Sequence, residues 1–365
     1  MSTTKYEQVE QLVSRLLTEP PKCHDWENRY NGYAKEIIGK KPILERVQNC
    51  FRQWSPLCVY SKISDITGAA TKRKVRIDYD LRFHGQSVAT IMVENGNVFL
   101  METKEQRANT NEHFTRFTSE TFRKKWETRE WLEKMKWDSK EARNFRKFFR
   151  GLEGKGALPE DKQHGEFKEH FYESMLLVEF AKKKGEKKSL ANIQPVKLLD
   201  KAFFQMPTSL RASDSDNIEC EKKEGRGGGI DIMSRVGRGG AAKLCIMELK
   251  DENIKKERPE KVMQQAVAYA VFIAHLLRSN SGDKWYNIFG FNKKNPEKGV
   301  PRDLTLIAAV VMPDDGVTPD FKEYPPLELN ELNTTIMLRS LYFDPKTSGK
   351  PGGFKFSGSL KGMLV

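Results

Sequence analysis

No apolar run in this sequence approaches the ~18–20 residues needed to cross a bilayer, so a membrane partner is not expected. The opening stretch, MSTTKYEQVE, has no apolar core of the secretory kind, which leaves the cytoplasm as the expected location. Cysteine is scarce: Cys23, Cys50, Cys58, Cys220 and Cys245 are scattered and odd in number, with no CxxC pair. That spacing suggests neither a zinc knuckle nor a disulfide framework, and Cys245 reads as a small buried hydrophobe within a strand. Histidine is equally sparse, six in all, with no HExxH. A metal here should therefore be held by oxygen, which favours Mg²⁺, Mn²⁺ or Ca²⁺ over zinc. Acidic residues are in deficit, 50 against 63 basic ones, for a net charge of +13. Such an excess suits a polyanionic partner, although a basic protein can also be merely soluble.

What the chain does have is punctuation and periodicity. Its 365 residues allow about two domains of ~100–200 residues each. Val9, Leu12, Val13, Leu16 and Leu17 share one helical face, and 34–53 reads as a second amphipathic helix. The period then changes: 56–63, 74–83, 86–94 and 97–104 read as strands. Asn95-Gly96 is a strong type I′ turn and His84-Gly85 a weaker one, so this half predicts an antiparallel meander. Residues 119–150 return to helix, with Trp126, Trp131, Trp137, Phe145, Phe148 and Phe149 among many basic residues. Such a surface can grip phosphates and stack on bases; the plainer reading is a buried aromatic stripe beside a solvated face. Residues 151–165, rich in Gly, Pro and charge, read as a linker.

The second half begins with a helix over EFKEHFYESMLLVEFAKKKG, stopped by Gly185. A less regular segment follows over 190–215. IDIMS and KLCIME then read as short strands joined by a Gly-rich hairpin. A long helix runs from about Pro259 to Arg278, and LTLIAAVVM (304–312) fits a strand covered on both faces. The expected architecture is α/β: an N-terminal α+β domain over 1–155 with an antiparallel meander, and a mixed sheet flanked by helices over 160–365.

The charged groups at the strand ends carry the chemistry. Asp231 and Glu248 would converge from neighbouring strands, and two carboxylates at one edge repel unless a hard cation lies between them. Lys250 is two residues beyond Glu248, on the same face of the strand. A Lewis acid, a water of lowered pKa and an ammonium are the parts for hydrolysing a phosphodiester. The acid-x-Lys triplet alone is uninformative, because the chain holds ten of them. Only those starting at Glu102 and Glu248 end an apolar strand-like run. Asp80, Glu102 and Lys104 form a rival triad, but run 86–94 separates their strands, and they read as exposed positions. GRGGG (225–229) lacks the Lys-Ser/Thr of a P-loop and reads as a mobile loop.

With its flanking elements, the order GIDIM, CIMELK, QQAVAYA resembles the PD-(D/E)xK nuclease superfamily over roughly 165–315. Ile230 stands where that family often has proline. Gln265-x-x-x-Tyr269 is similar to the QxxxY element of the RecB-like exonuclease branch. The resemblance implies a restriction-endonuclease-like core. It implies Asp231 and Glu248 as metal ligands with the Leu249 carbonyl, Lys250 as the catalytic lysine, and Gln265 and Tyr269 supporting the site or touching the strand. An acid from the preceding helix often joins the ligands in this family; Glu173 is the first choice and Glu179 the second. Arg235, Arg238 and Lys255 complete the candidate nucleic-acid contacts. The implied cofactor is Mg²⁺, with Mn²⁺ able to substitute. The implied substrate is DNA before RNA, and a homodimer is compatible with the class. The first half would recognise substrate or partner, as in restriction, defence or mobile-element enzymes. Two alternatives stand beside this: a nucleic-acid-binding protein with a degenerate site, and an interaction protein using the N-terminal sheet edge. In both, Glu248 and Lys250 are a surface ion pair, and Gln265 and Tyr269 simply pack their helix.

Overall fold

In the computed structural model the described residues are 4–19, 23, 25–49, 51, 57–66, 74–103, 106, 134–150, 166–182, 192–214, 217–220, 228–250, 258–314, 319–344 and 354–362. They form a mixed α/β structure around two large sheets. Three helices come first: α1 (Lys5–Thr18), α2 (Trp26–Gly39) and α3 (Lys41–Asn49). Thr4 caps α1 by accepting the Glu7 N–H at 3.2 Å, the capping-box arrangement. The helix buries Tyr6, Val9, Val13 and Leu17, close to the stripe its periodicity predicts. The single helix expected over 34–53 is instead two, broken at Lys40 next to Gly39.

The meander is present. β1 (Leu57–Ile66), β2 (Lys74–Phe83), β3 (Gln86–Glu94) and β4 (Asn97–Met101) pair in succession, all antiparallel. Both turns use left-handed backbone, Asn95 and Gly96 at φ 49° and 76°, His84 and Gly85 at φ 48° and 82°, so the second is as tight as the first. A Cβ on Gly85 would lie 2.0 Å from the His170 carbonyl oxygen; glycine is what lets this turn press on the helix beyond. β5 (Met135–Lys136) extends the sheet and α4 (Lys140–Arg150) follows. Residues 135–136 are therefore strand, not helix, because Met135 finds a ladder partner in Leu100. In α4 and just before it, Trp137, Phe145 and Phe149 are buried in the core of this sheet, and the Arg146 guanidinium lies 3.8 Å over the Trp137 ring. These aromatics are core rather than a stacking surface. The expected linker at 151–165 and Trp126 and Trp131 lie outside the described residues.

After α5 (Glu166–Ala181), the segment expected to be irregular supplies strands: β6 (Ile193–Pro195), β7 (Lys197–Leu198), β8 (Ala202–Gln205), β9 (Leu210–Asp214) and β10 (Asn217–Cys220). Short strands held by distant partners carry little periodicity of their own. β8 pairs in parallel with β1, so the first sheet runs β5-β4-β3-β2-β1-β8-β7. The second sheet is built from β6, β11 (Ile232–Val236), β12 (Lys243–Leu249), β13 (Leu304–Pro313), β14 (Leu327–Leu329), β15 (Thr334–Phe343) and β16 (Phe356–Ser357). Its order is β14-β15-β13-β12-β11-β6, with β16 on β15. β12–β13 and β13–β15 are parallel, and β11–β12 is antiparallel. α6 (Pro259–Arg278) and α7 (Gly282–Ile288) connect β12 to β13, and α8 (Ser359–Gly362) closes the described chain. α6 starts with proline in its first turn, where the missing N–H costs nothing. β13 is buried on both faces, apart from half-buried Thr305, as its unbroken apolar run predicts.

The boundary expected between 155 and 160 does not separate the two cores. Trp26 and Tyr30 of α2 meet Phe272 of α6 at ring distances of 5.7 and 5.2 Å. The Trp285 indole donates to the Tyr30 carbonyl at 3.1 Å. In return, β7 and β8 complete the first sheet. Cys23 and Cys220 form a disulfide across a separation of 197 residues, where the scattered spacing suggested no disulfide framework and could not reveal the pair. Cys245 is fully buried in β12, as expected. No helix among the described residues is long and apolar enough to cross a membrane.

Candidate functional site

The site is set by how the chain enters β11. The Gly228 N–H donates to Leu210 O at 3.0 Å, and the Ile230 N–H to Met206 O at 3.1 Å. A Cβ on Gly228 would fall 2.7 Å from both Leu210 O and the Tyr269 hydroxyl. Only glycine allows this approach, so Gly228 is packed backbone rather than part of the mobile loop expected; Gly229 is exposed but bridged to Pro207, and 225–227 lie outside the described residues. Ile230 is buried, and Asp231 emerges at the strand edge. The last paired residues are Ile232 and Met247, which places Asp231 one step beyond, beside Glu248. Oδ2 of Asp231 accepts the Leu249 N–H at 2.9 Å, fixing the carboxylate against the end of β12.

Glu248 and Lys250 share a face of the extended chain. The Lys250 ammonium lies 3.2 Å from Glu248 Oε1 and 3.4 Å from Glu169 Oε1 of α5. The Lys250 N–H donates to Val311 O at 3.1 Å, so its backbone continues the parallel ladder with β13. Glu248 is 6% exposed, whereas Asp231 and Lys250 are half-buried. The Asp231 carboxyl is pushed well above the usual range, first by the protein packed around it and next by the Glu248 charge; Lys250 only partly offsets this. Two carboxylates thus hold the ammonium, and a third, that of Asp231, lies beside Glu248.

α6 adds the neighbouring wall. The Tyr269 hydroxyl accepts the Ala212 N–H at 3.4 Å. Burial and the charge of Glu248 push its ionisation upward, so Tyr269 sits beside the carboxylates. Gln265, one turn earlier, is buried, and its Oε1 has no hydrogen-bond partner among the described residues. The structure therefore gathers Asp231, Glu248, Lys250 and Tyr269, with the Leu249 backbone between the acids. The Leu249 side chain is fully buried in the core.

Other expected residues fall elsewhere. Glu173 turns to the first sheet: its Oε2 is 3.5 Å from His170 Nδ1, and its charge bears on Tyr60 and Arg82. Glu179 pairs with Lys182. The helix acid at the site is instead Glu169, which sequence reasoning missed. It lies four residues before Glu173 on the same stripe, and only the docking of α5 against β12 settles which turn meets Lys250. Arg235 and Arg238 lie at the far end of β11, bonded to Gly290 and Gln194 and to Asn192 respectively. They do not approach Asp231, because the hairpin carries them to the opposite sheet edge. Lys255 lies outside the described residues.

The rival residues are buried rather than exposed: Asp80 is 6% and Glu102 7% accessible. Asp80 is matched by Arg82 at 2.8 Å, by Ser87 and by Gln106, so its charge is already balanced. β3 lies between β2 and β4, as the meander predicts. Lys104 is outside the described residues. No protein-family model, curated protein or solved structure matches the chain.

Among the described residues no group of three or more His, Cys, Asp and Glu side chains is gathered to hold a metal ion. The donors that could serve are the two carboxylates of Asp231 and Glu248 with the Leu249 carbonyl. Their chemistry fits a hard divalent cation: both are oxygen donors, and the Asp231 carboxyl is strained by its neighbour's charge in a way a cation would relieve.

Proposed function

We propose that this chain is a divalent-metal-dependent nuclease that hydrolyses phosphodiester bonds, in DNA before RNA, with a core of the PD-(D/E)xK kind. One observation carries the reading: Glu248 and Glu169 hold the Lys250 ammonium, and Asp231 lies beside Glu248 at the end of the paired strands. The order α5, β11, β12, α6, β13 agrees with that core, and the net charge of +13 suits a polyanionic substrate. Asp231 and Glu248 would hold Mg²⁺, or Mn²⁺ in its place. When bound, the ion supplies Lewis acidity and a water acidic enough to attack phosphorus. Lys250 would orient the attacking water and meet the negative charge that develops on the phosphate oxygens. Glu169 and Glu248 hold the ammonium in position. Tyr269 closes the wall and keeps bulk water from the carboxylates.

The test is incubation of the whole chain with linear, circular and single-stranded DNA, in Mg²⁺ or in EDTA. Cleavage should require the metal. It should fall by about 10²–10³-fold in Lys250→Ala and at least as far in Asp231→Ala, while Glu102→Ala cuts normally. Salt-sensitive DNA retention without cutting, or loss of cutting in Glu102→Ala but not in Glu248→Ala, would overturn the reading.

A further inference from the structure

At the opposite end of β12 from Glu248 lies a half-open cavity of about 800 Å³, bounded by the β11–β12 hairpin and the loop after α7. Its size falls within the range of small-molecule sites, ~300–1,000 Å³. Five cationic residues line it, Arg235, Arg238, Lys293, Lys294 and Lys298, and none of the lining residues is acidic. Lys293 is matched by Asp200. Lys294 and Lys298 are exposed, and their side-chain ammonium groups have no ion-pair or hydrogen-bond partner among the described residues.

The walls are already built. Arg235 is clamped to the Gly290 carbonyl and to Gln194 Oε1, with Nε buried and unpartnered among the described residues. Arg238 is held by Asn192. Asn287 Nδ2 donates to Pro296 O at 2.9 Å, and Asn292 Nδ2 to Gly299 O, closing the loop on itself. Tyr286 and Phe291 stack with centroids 4.5 Å apart and planes 12° apart, giving the cavity an aromatic wall.

Uncompensated cations in a preformed concavity concentrate anions, and guanidinium groups favour phosphate oxygens. The volume is that of a small molecule rather than a duplex. We propose that this cavity binds a phosphate-bearing small molecule of nucleotide size. Phosphates meet Arg238, Lys294 and Lys298, and a ring lies towards Tyr286 and Phe291. At ~3.3 Å per strand residue, the cavity is about 20 Å from the carboxylates, and the proposal does not depend on the nuclease reading.

The experiment is calorimetric titration of the whole chain in EDTA with ATP, inorganic triphosphate, adenosine and a 20-nucleotide single strand. ATP should bind, triphosphate more weakly, and adenosine not measurably. The double variant Lys294→Glu/Lys298→Glu and, separately, Arg238→Gln should each weaken ATP by at least about tenfold, a change of ~1.4 kcal/mol. Their circular dichroism should be unchanged. Asp231→Asn should bind ATP as the parent does. Absent ATP binding, equal affinity in the charge variants, loss of ATP binding in Asp231→Asn, or variants that lose only the 20-nucleotide strand would each overturn the proposal. The last outcome would make the cavity part of a nucleic-acid track.

Discussion

The two sheets each carry an acid and a cation two residues apart, and they use them in opposite ways. In the first sheet Asp80 and Arg82 face one another at 2.8 Å. Gln106 donates to Ser87 and Thr90, and Arg82 also donates to Gln205. Arg82 answers Asp80 directly and the carboxylate's remaining hydrogen-bonding capacity is filled by neutral donors, which is how a buried ion pair is tolerated; Glu173 adds a second negative charge near the same guanidinium. In the second sheet the same spacing gives Glu248 and Lys250, but Glu169 shares the same ammonium and Asp231 lies beside Glu248 at the strand end. There the acids outnumber the cation, and the Asp231 carboxyl is pushed well above its usual range by burial and by the Glu248 charge. The contrast teaches that an acid-x-cation triplet is silent about function, and that what the neighbouring elements add to it decides.

The largest expected effect comes from unbalancing the first pair. Arg82→Met leaves Asp80 buried without its counter-charge and should cost about 3–5 kcal/mol in chemical denaturation. Asp231→Asn in EDTA should instead raise stability, because it removes a repulsion. If both variants lose stability alike, the two sites are not different in kind. Ile307→Ala, in a strand covered on both faces, should cost about 2–5 kcal/mol. Met92→Ala, at a half-buried position of β3, should cost about 1 kcal/mol. Similar costs for the two would remove the difference between the sheets' surroundings. The smallest effect probes the helix layer over the second sheet. His275 of α6 lies 3.1 Å from Ser14 of α1, and burial pushes its pKa down to about 4. Below the unfolded value of ~6.5 the unfolded chain takes up the proton first. Stability is therefore full above that pH and is lost as pH falls from 6.5 towards 4. Denaturation midpoints measured across that window should fall in the parent and stay flatter in His275→Gln.

Much of the second sheet was legible because its signals are local. The apolar run of β13, the proline opening α6 and the glycines flanking β11 and β12 each follow from backbone chemistry within a few residues. So does the i, i+2 placement of Glu248 and Lys250. Asp231 beside Glu248 needed one further step, an antiparallel hairpin, which Gly237 and Gly239 make available with φ of 103° and 53°. The misses were non-local. Glu169 rather than Glu173 faces Lys250 because α5 docks at one height and not a turn away. Arg235 and Arg238 are at the wrong edge because strand direction sends Asp231 and the hairpin to opposite ends. The burial of Asp80 and Glu102 depends on partners that periodicity does not rank.

The amino-acid sequence by itself determined the local elements, the excess of positive charge, and the two acids and one amine at strand ends, since each depends on side-chain alternation, turn chemistry or composition. The tertiary structure alone decided how α1 and α2 share a core with α6, which cysteines pair, and which helix acid reaches the lysine. It alone shaped a half-open basic cavity at the hairpin end of β11 and β12. These outcomes depend on contacts between residues up to 261 positions apart, whose free energy of packing leaves no periodic trace in the chain.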